Sequence, residues 1–157
     1  MDSVKGAKAT IVVFTCNHCP YAVMNEDRLI AVFRDYRDKG VGMAAINSND
    51  AVNCPEDSFE AMKVRAREKA FPFPYLHDAD QSVARAYQAT HTPHLFVFDA
   101  SLRLAYTGAV DDDSDHKRRK TPEKRFLRDA LDDLVAGRPR ARARDARHRL
   151  HHQVALT

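Results

Sequence analysis

The sequence predicts an α/β fold: a mixed sheet with helices on both faces and an antiparallel C-terminal edge. Three observations carry this. Short β-branched or aromatic runs alternate with segments whose apolar residues recur at helical spacing, the pattern of strand–helix–strand units. The last two strand-like runs are separated only by the turn Asp99-Ala100-Ser101, so they pair antiparallel. With 157 residues, 44% of them hydrophobic, the chain builds one domain around its own core.

Each element has a local cause. ATIVVF, residues 9–14, is a β-branched run and reads as a buried strand. Between Asn17 and Lys39, Val23, Leu29, Ile30, Phe33 and Tyr36 recur at helical spacing, and Gly40 closes the helix. VGMAAIN, 41–47, is the second strand. A loop rich in turn residues follows, and Ser58 is placed to N-cap the helix FEAMKVRAREKA. FPFPYLHD, 71–78, is extended because each proline pushes its predecessor toward the β region. QSVARAYQA is a short helix. HTPHLFVFD and LRLAYTGAV are the last two strands, and Thr121-Pro122-Glu123 opens a final helix that runs to Gly137. No internal repeat is present.

Charge and composition narrow the function classes. The net charge is +3, but residues 138–149, RPRARARDARHR, carry six Arg and one Asp. The rest of the chain is therefore slightly acidic, and the basic character belongs to the tail. No apolar run approaches the roughly 20 residues of a membrane span, and the N-terminus has no apolar signal core. The expected compartment is the reducing cytoplasm, where cysteine pairs are catalytic, redox-sensing or metal-binding.

The chemistry concentrates in FTCNHCPYA, residues 14–22. Cys16 and Cys19 lie where the first strand meets the first helix. Unpaired N–H groups and the macrodipole at a helix N-terminus favour a thiolate. On this reading Cys16 is the exposed attacking thiol and the more acidic one. Cys19 is the resolving thiol, and His18 adds positive charge or a hydrogen bond to the Cys16 thiolate. Thr92-Pro93 opens a later strand and supports the site: a cis-proline there packs beside the pair and leaves the Thr92 backbone to meet an extended substrate. Two rivals are a merely buried pair and a zinc half-site. The second lacks its remaining ligands, since the body has no second C-x-x-C and no H-x₃₋₅-H; no metal is expected. Cys54 reads as a bystander, His77, Asp78 and Asp80 as a capped loop, DDDSDH as solvated charge, and Tyr21, Phe33 and Tyr36 as core.

The segments VVFTCNHCPY, VGMAAINSND, PEDSFEAM, FPFPYLHD, VARAY, TPHLFVFD and YTGAVDDD cover residues 5–137 almost without gaps. They resemble the thioredoxin-like superfamily, and within it the bacterial redoxins of the AhpC/TSA type that carry CNHCPY. The resemblance implies a three-layer sandwich, a Cys16–Cys19 redox pair, a cis Pro93 and no bound cofactor. It also sets departures. Relatives usually begin with a further strand or hairpin, so residues 1–137 are expected to form an N-terminally shortened domain. Position 91, often Cys in relatives, is His91 here. Thr15 adjoins Cys16 instead of lying three residues before it, so the P-x₃-T-x₂-C pattern of peroxiredoxins is not met.

The expected function is that of a thiol–disulfide oxidoreductase or antioxidant redoxin. Its partners would be a protein or small-molecule disulfide and a thioredoxin- or glutathione-type reductant, with no nucleic acid and no membrane. The alternative is a redox-inert thioredoxin-fold binding module or thiol sensor. Residues 138–157 are expected to be a basic disordered tail. Codon choices for 140–155, read one nucleotide later, permit VPEPETRAIGCTIKW, which ends in the IGC-x-IKW common to relatives, so the tail is also expected to be a frameshifted C-terminus; a nucleic-acid arm is the rival.

Overall fold

A computed structural model describes residues 4–138 and the dipeptides 143–144 and 154–155. The elements are β1 (Ala9–Phe14), α1 (Pro20–Tyr36), a 3-10 turn at Arg37–Lys39, β2 (Val41–Asn47), a 3-10 turn at Pro55–Asp57, α2 (Phe59–Glu68), β3 (Tyr75–His77), α3 (Ser82–Tyr87), β4 (His91–Thr92), β5 (His94–Asp99), β6 (Leu104–Gly108), α4 (Phe126–Val135), β7 (Ala143–Arg144) and β8 (Val154–Ala155). Among the described residues, no helix is long and apolar enough to cross a membrane.

The main sheet has the order β3-β2-β1-β5-β6-β7, and β4 pairs separately with β8. All six residues of β1 are buried, as its central place requires. Their alternation feeds two cores. Ile11 and Val13 pack with Leu29 and Ile30 of α1 and Leu127 and Leu131 of α4. Val12 and Phe14 pack on the opposite face with Ile46, Phe96 and Ala84 of α3. Helices therefore cover both faces, giving three layers.

The antiparallel half starts nearer the middle of the sheet than the sequence suggests. β1, β2 and β3 are mutually parallel, but β5 already runs antiparallel to β1, with Phe14 opposite His94, and β6 runs antiparallel to β5. Helix length explains this. The six residues of α3 span about 9 Å, too little to carry the chain back along a six-residue strand of about 20 Å. The chain re-enters the sheet from the end at which it left.

The helix ends obey local chemistry. Ser58 Oγ accepts the Ala61 N–H at 3.3 Å and caps α2. Gly40, at φ 87°, ends the turn after α1 in the left-handed region. The last helix begins at Phe126, not at Thr121. The Glu123 and Lys124 N–H groups donate instead to Asp112 Oδ1, at 2.9 and 3.0 Å, and are held in the preceding loop. That acidic loop is less solvated than its composition suggests. Asp111 and Asp113 are buried; both pair with Arg28, and Asp113 also takes Arg119 at 2.7 Å. α2 is tied to α1 by Arg65, which donates twice to the buried Glu26 carboxylate, at 2.9 and 2.7 Å.

The N-terminal segment crosses β2 backbone to backbone. A Cβ at Gly42 would lie 1.9 Å from the Val4 carbonyl oxygen, an approach only glycine permits. Gly42→Ala is expected to displace residues 4–6 and lower Tm by several degrees, checked by thermal unfolding followed by circular dichroism; an unchanged Tm would show that the crossing contributes nothing. Most of the tail, residues 139–142, 145–153 and 156–157, with the frameshift and disorder readings that fall on it, lies outside the described residues. β7 runs parallel to β6, and β8 runs antiparallel to β4.

Candidate active site

β1 stops at Phe14 and α1 starts at Pro20, so residues 15–19 form a loop at the C-terminal end of a central strand. Cys19 is the N-cap, with extended backbone at φ −65° and ψ 121°, and Pro20 takes the first helical position, where a missing N–H costs nothing. Both sulfurs sit at the helix start. Neither cysteine is exposed: Cys16 retains 1% of its surface and Cys19 none. Exposure therefore does not single out Cys16 as the sequence reading expected. All three cysteines are thiols; Cys54 is half-buried in its loop.

The fold brings Thr92 onto the pair from 76 residues away. Cys16 Sγ lies 3.2 Å from Thr92 Oγ1, and Cys19 Sγ lies 3.7 Å from the Thr92 carbonyl oxygen. The Thr92–Pro93 peptide is cis. The Thr92 backbone is not free: β8 lies along it, with Val154 opposite Thr92 and Ala155 opposite His91.

The two sulfurs influence each other's ionisation. Cys19 is pulled down, to about 5, first by its contact with Cys16 and then by the Ala22 and Tyr21 N–H groups at the helix start, against the cost of burial. Cys16 is pushed up, first by that same contact with Cys19, then by burial and the charge of Asp57. The same interaction lowers one sulfur and raises the other, so the first ionisation is a property of the pair. Backbone N–H groups face the Cys19 sulfur because Cys19 is the N-cap.

His18 does not spend its Nδ1 on a thiolate. That nitrogen lies 2.6 Å from Asp57 Oδ2. Asp57, which the sequence reading did not single out, is wholly buried. It takes four contacts: the Asn17 N–H at 2.6 Å, Asn47 Nδ2 at 3.1 Å, Asn49 Nδ2 at 2.8 Å and His18. The Tyr75 hydroxyl donates to Asn17 Oδ1 at 3.0 Å; burial, with the nearby Asp57 and Cys16 charges, pushes Tyr75 above the usual phenol range. A signal was present. Asn47, Ser48 and Asn49 are polar yet fully buried at the end of β2, and such a run must be satisfied by partners.

Metal-ligand spacing occurs once among the described residues. One ligand atom each of Cys16, His18 and Asp57 lie within 4.8 Å of one another. Asp57 already has four donors, so a cation there would have to displace His18. The other titratable candidates are structural. Asp78 accepts the Ser48 hydroxyl at 2.7 Å and the Val83 and Ala84 N–H groups, capping α3, and His77 stacks on Phe59. His91 and His94 flank the cis peptide with their rings stacked 4.1 Å apart.

A paired C-x-x-C at a strand-to-helix junction, closed over by a Thr–cis-Pro segment, is met by a family match: the AhpC/TSA family model covers residues 1–107. The chain belongs to the AhpC/TSA family. An uncharacterized conserved protein from Geobacillus kaustophilus is 43% identical with a TM-score of 0.80, over 90% of this chain and 74% of its own. A hypothetical protein from Sinorhizobium meliloti is 32% identical with a TM-score of 0.86, over 99% of this chain and 82% of its own. A thioredoxin-family thiol:disulfide interchange protein from Chlorobium tepidum is similar in fold, at 19% identity and a TM-score of 0.63, over 85% and 83% of the two chains. No curated protein matches. The redoxin thus has a thioredoxin-like fold, and its family gives it a redox role.

Proposed function

We propose that this redoxin is a thiol–disulfide oxidoreductase acting through Cys16 and Cys19. The observation that carries the reading is the pair of free thiols set at a helix N-terminus, with Thr92 Oγ1 3.2 Å from Cys16 Sγ and the Thr92 carbonyl oxygen 3.7 Å from Cys19 Sγ. One proton moves along the S–H···S contact from Cys16 to Cys19 and leaves the charge on Cys16. The Cys16 thiolate attacks one sulfur of a substrate disulfide, forming a mixed disulfide and expelling the other sulfur as a thiolate, which takes a proton. Cys19, deprotonated again, attacks Cys16 Sγ. The Cys16–Cys19 disulfide forms and the second substrate thiol leaves. Two electrons pass from the pair to the substrate, and a thioredoxin- or glutathione-type reductant returns them. The antiparallel pairing of β8 with His91 and Thr92 supports an extended segment as the form in which a protein substrate docks. A cytoplasmic setting would keep the pair reduced between turnovers.

The test is reduction of insulin disulfides with dithiothreitol as donor. Wild type is expected to turn over and Cys16→Ser to be inactive. Absence of turnover in folded wild type would sink the proposal in favour of an inert module or sensor. Hydrogen peroxide consumption in place of disulfide reduction would move the chemistry to sulfenate formation at Cys16.

A further inference from the structure

We infer that Asp57 is a positioning residue, holding His18 in one tautomer and one orientation beside Cys16 so that the imidazole governs the proton of the attacking thiol. This rests on the thiol–disulfide reading above. Sequence distance hides the arrangement, since Asp57 lies in the 3-10 turn before α2, 39 residues beyond His18. Geometry assembles it. His18 Nδ1 is 2.6 Å from Asp57 Oδ2, and one ligand atom of Cys16, of His18 and of Asp57 fall within a 4.8 Å cluster. Thiol, imidazole and carboxylate thus share one cluster, in which the carboxylate decides which ring nitrogen carries the proton.

The surroundings fix Asp57 as an acceptor. All four of its contacts come from groups able to donate, which fills the sites of an ionised carboxylate. It cannot act as the proton donor of the pair, so His18 Nδ1 carries the hydrogen. The other ring nitrogen is left to take or give a proton. The His18 side chain is 31% exposed while the Asp57 side chain is fully buried. The imidazole therefore reaches solvent and exchanges protons, and the carboxylate behind it does not. The ionisable groups facing the cluster are Cys16 and Cys19 on the same loop, Glu56 beside Asp57, Tyr75 of β3, and Glu26 of α1, which Arg65 of α2 neutralises. His18 is the basic side chain of the cluster. Without it, Asp57 faces the thiol alone and holds the proton on Cys16, consistent with the upward push of Asp57 on that group.

A loop anchor would make the same four hydrogen bonds, so the test uses readouts an anchor does not move. The first is the histidine ¹⁵N spectrum of the reduced wild-type protein above pH 8. His18 is expected as the Nδ1–H tautomer; an Nε2–H tautomer overturns the inference. The second is the pH profile of Cys16 alkylation by iodoacetamide in wild type, Asp57→Asn, His18→Ala and the double variant. Each single change is expected to lower the rate at pH 7 roughly 10- to 100-fold, and the double variant to be no slower than His18→Ala, since it also lacks the Asp57 charge that holds the proton on Cys16. Asp57→Asn costs that multiply with those of His18→Ala, or an Asp57→Asn profile equal to wild type, would make Asp57 an anchor only. If Asp57→Asn does not fold, the tautomer and the His18→Ala profile decide. Neither readout needs a disulfide substrate, so failure of insulin turnover is distinguishable from failure of this inference.

Discussion

Cys19→Ser is expected to halt the redoxin at a mixed disulfide between Cys16 and its substrate. The argument is one of missing chemistry in an intact frame. Serine is close to cysteine in size, and Cys19 is fully buried at the N-cap, where serine is a favoured residue. The loop and α1 therefore keep their geometry. Cys16 can still attack: its contact with Thr92 Oγ1 remains, the Cys19 contact that raises its ionisation is gone, and solvent takes the proton that Cys19 took. Resolution then fails. A serine hydroxyl is not deprotonated at neutral pH and does not displace a thiol from sulfur. Steady-state turnover should fall by roughly three orders of magnitude or more. Mass spectrometry of the non-reduced protein should show one substrate adduct, released by dithiothreitol and absent from Cys16→Ser. An adduct on Cys16→Ser and none on Cys19→Ser would exchange the roles of the two cysteines.

What the sequence disclosed, and what it hid, divides along physical lines. Periodicity located every helix and the main strands, since burial on one face is a local property of the residues that make it. Alternation in β1 feeds two cores, and the structure keeps both. The start of α4 was misplaced because Thr121-Pro122-Glu123 is a sound helix opening by itself. The Asp112 carboxylate, 11 and 12 residues earlier, takes the N–H groups that a helix would have used. The same holds in the site. Cys16, His18 and Cys19 were legible because they are contiguous, and Thr92-Pro93 because a proline at a strand start is distinctive. Asp57 was not, because its contact with His18 depends on where two loops meet. Which sulfur faces the helix N–H groups is likewise set by the turn at the helix start and not by which cysteine comes first.

Acid should destabilise the protein in a window set by two histidines. His91 and His94 stack face to face, 4.1 Å between centroids at an interplanar angle of 18°. His91 is 8% exposed. Its Nδ1 is 3.0 Å from Thr90 Oγ1, whereas His94 Nδ1 is buried without a hydrogen-bond partner among the described residues. A proton added there would place a charge in an apolar stack and, on His94, an unpaired N–H. Burial accordingly pushes both down to about 4, and His91 also feels His94. In the unfolded chain each titrates near 6.5. Between these values the unfolded state binds more protons than the folded one, so stability rises with pH. It is fully present above about 6.5 and is lost as pH falls toward 4. Each histidine contributes roughly 3 kcal/mol, and the pair less than twice that because they interact. The carboxylates held low in the fold, Asp112 and Asp113 among them, lose their contribution only below their unfolded value of about 3.9, so the two windows separate. Wild-type Tm should therefore drop by roughly 10 °C between pH 7 and pH 4.5. His91→Phe combined with His94→Phe keeps two stacked rings and removes both protonation sites, and its Tm should stay nearly level over that range. A wild-type Tm that does not move between pH 7 and pH 4.5, or a double variant that keeps the wild-type slope, would show that other groups control acid stability.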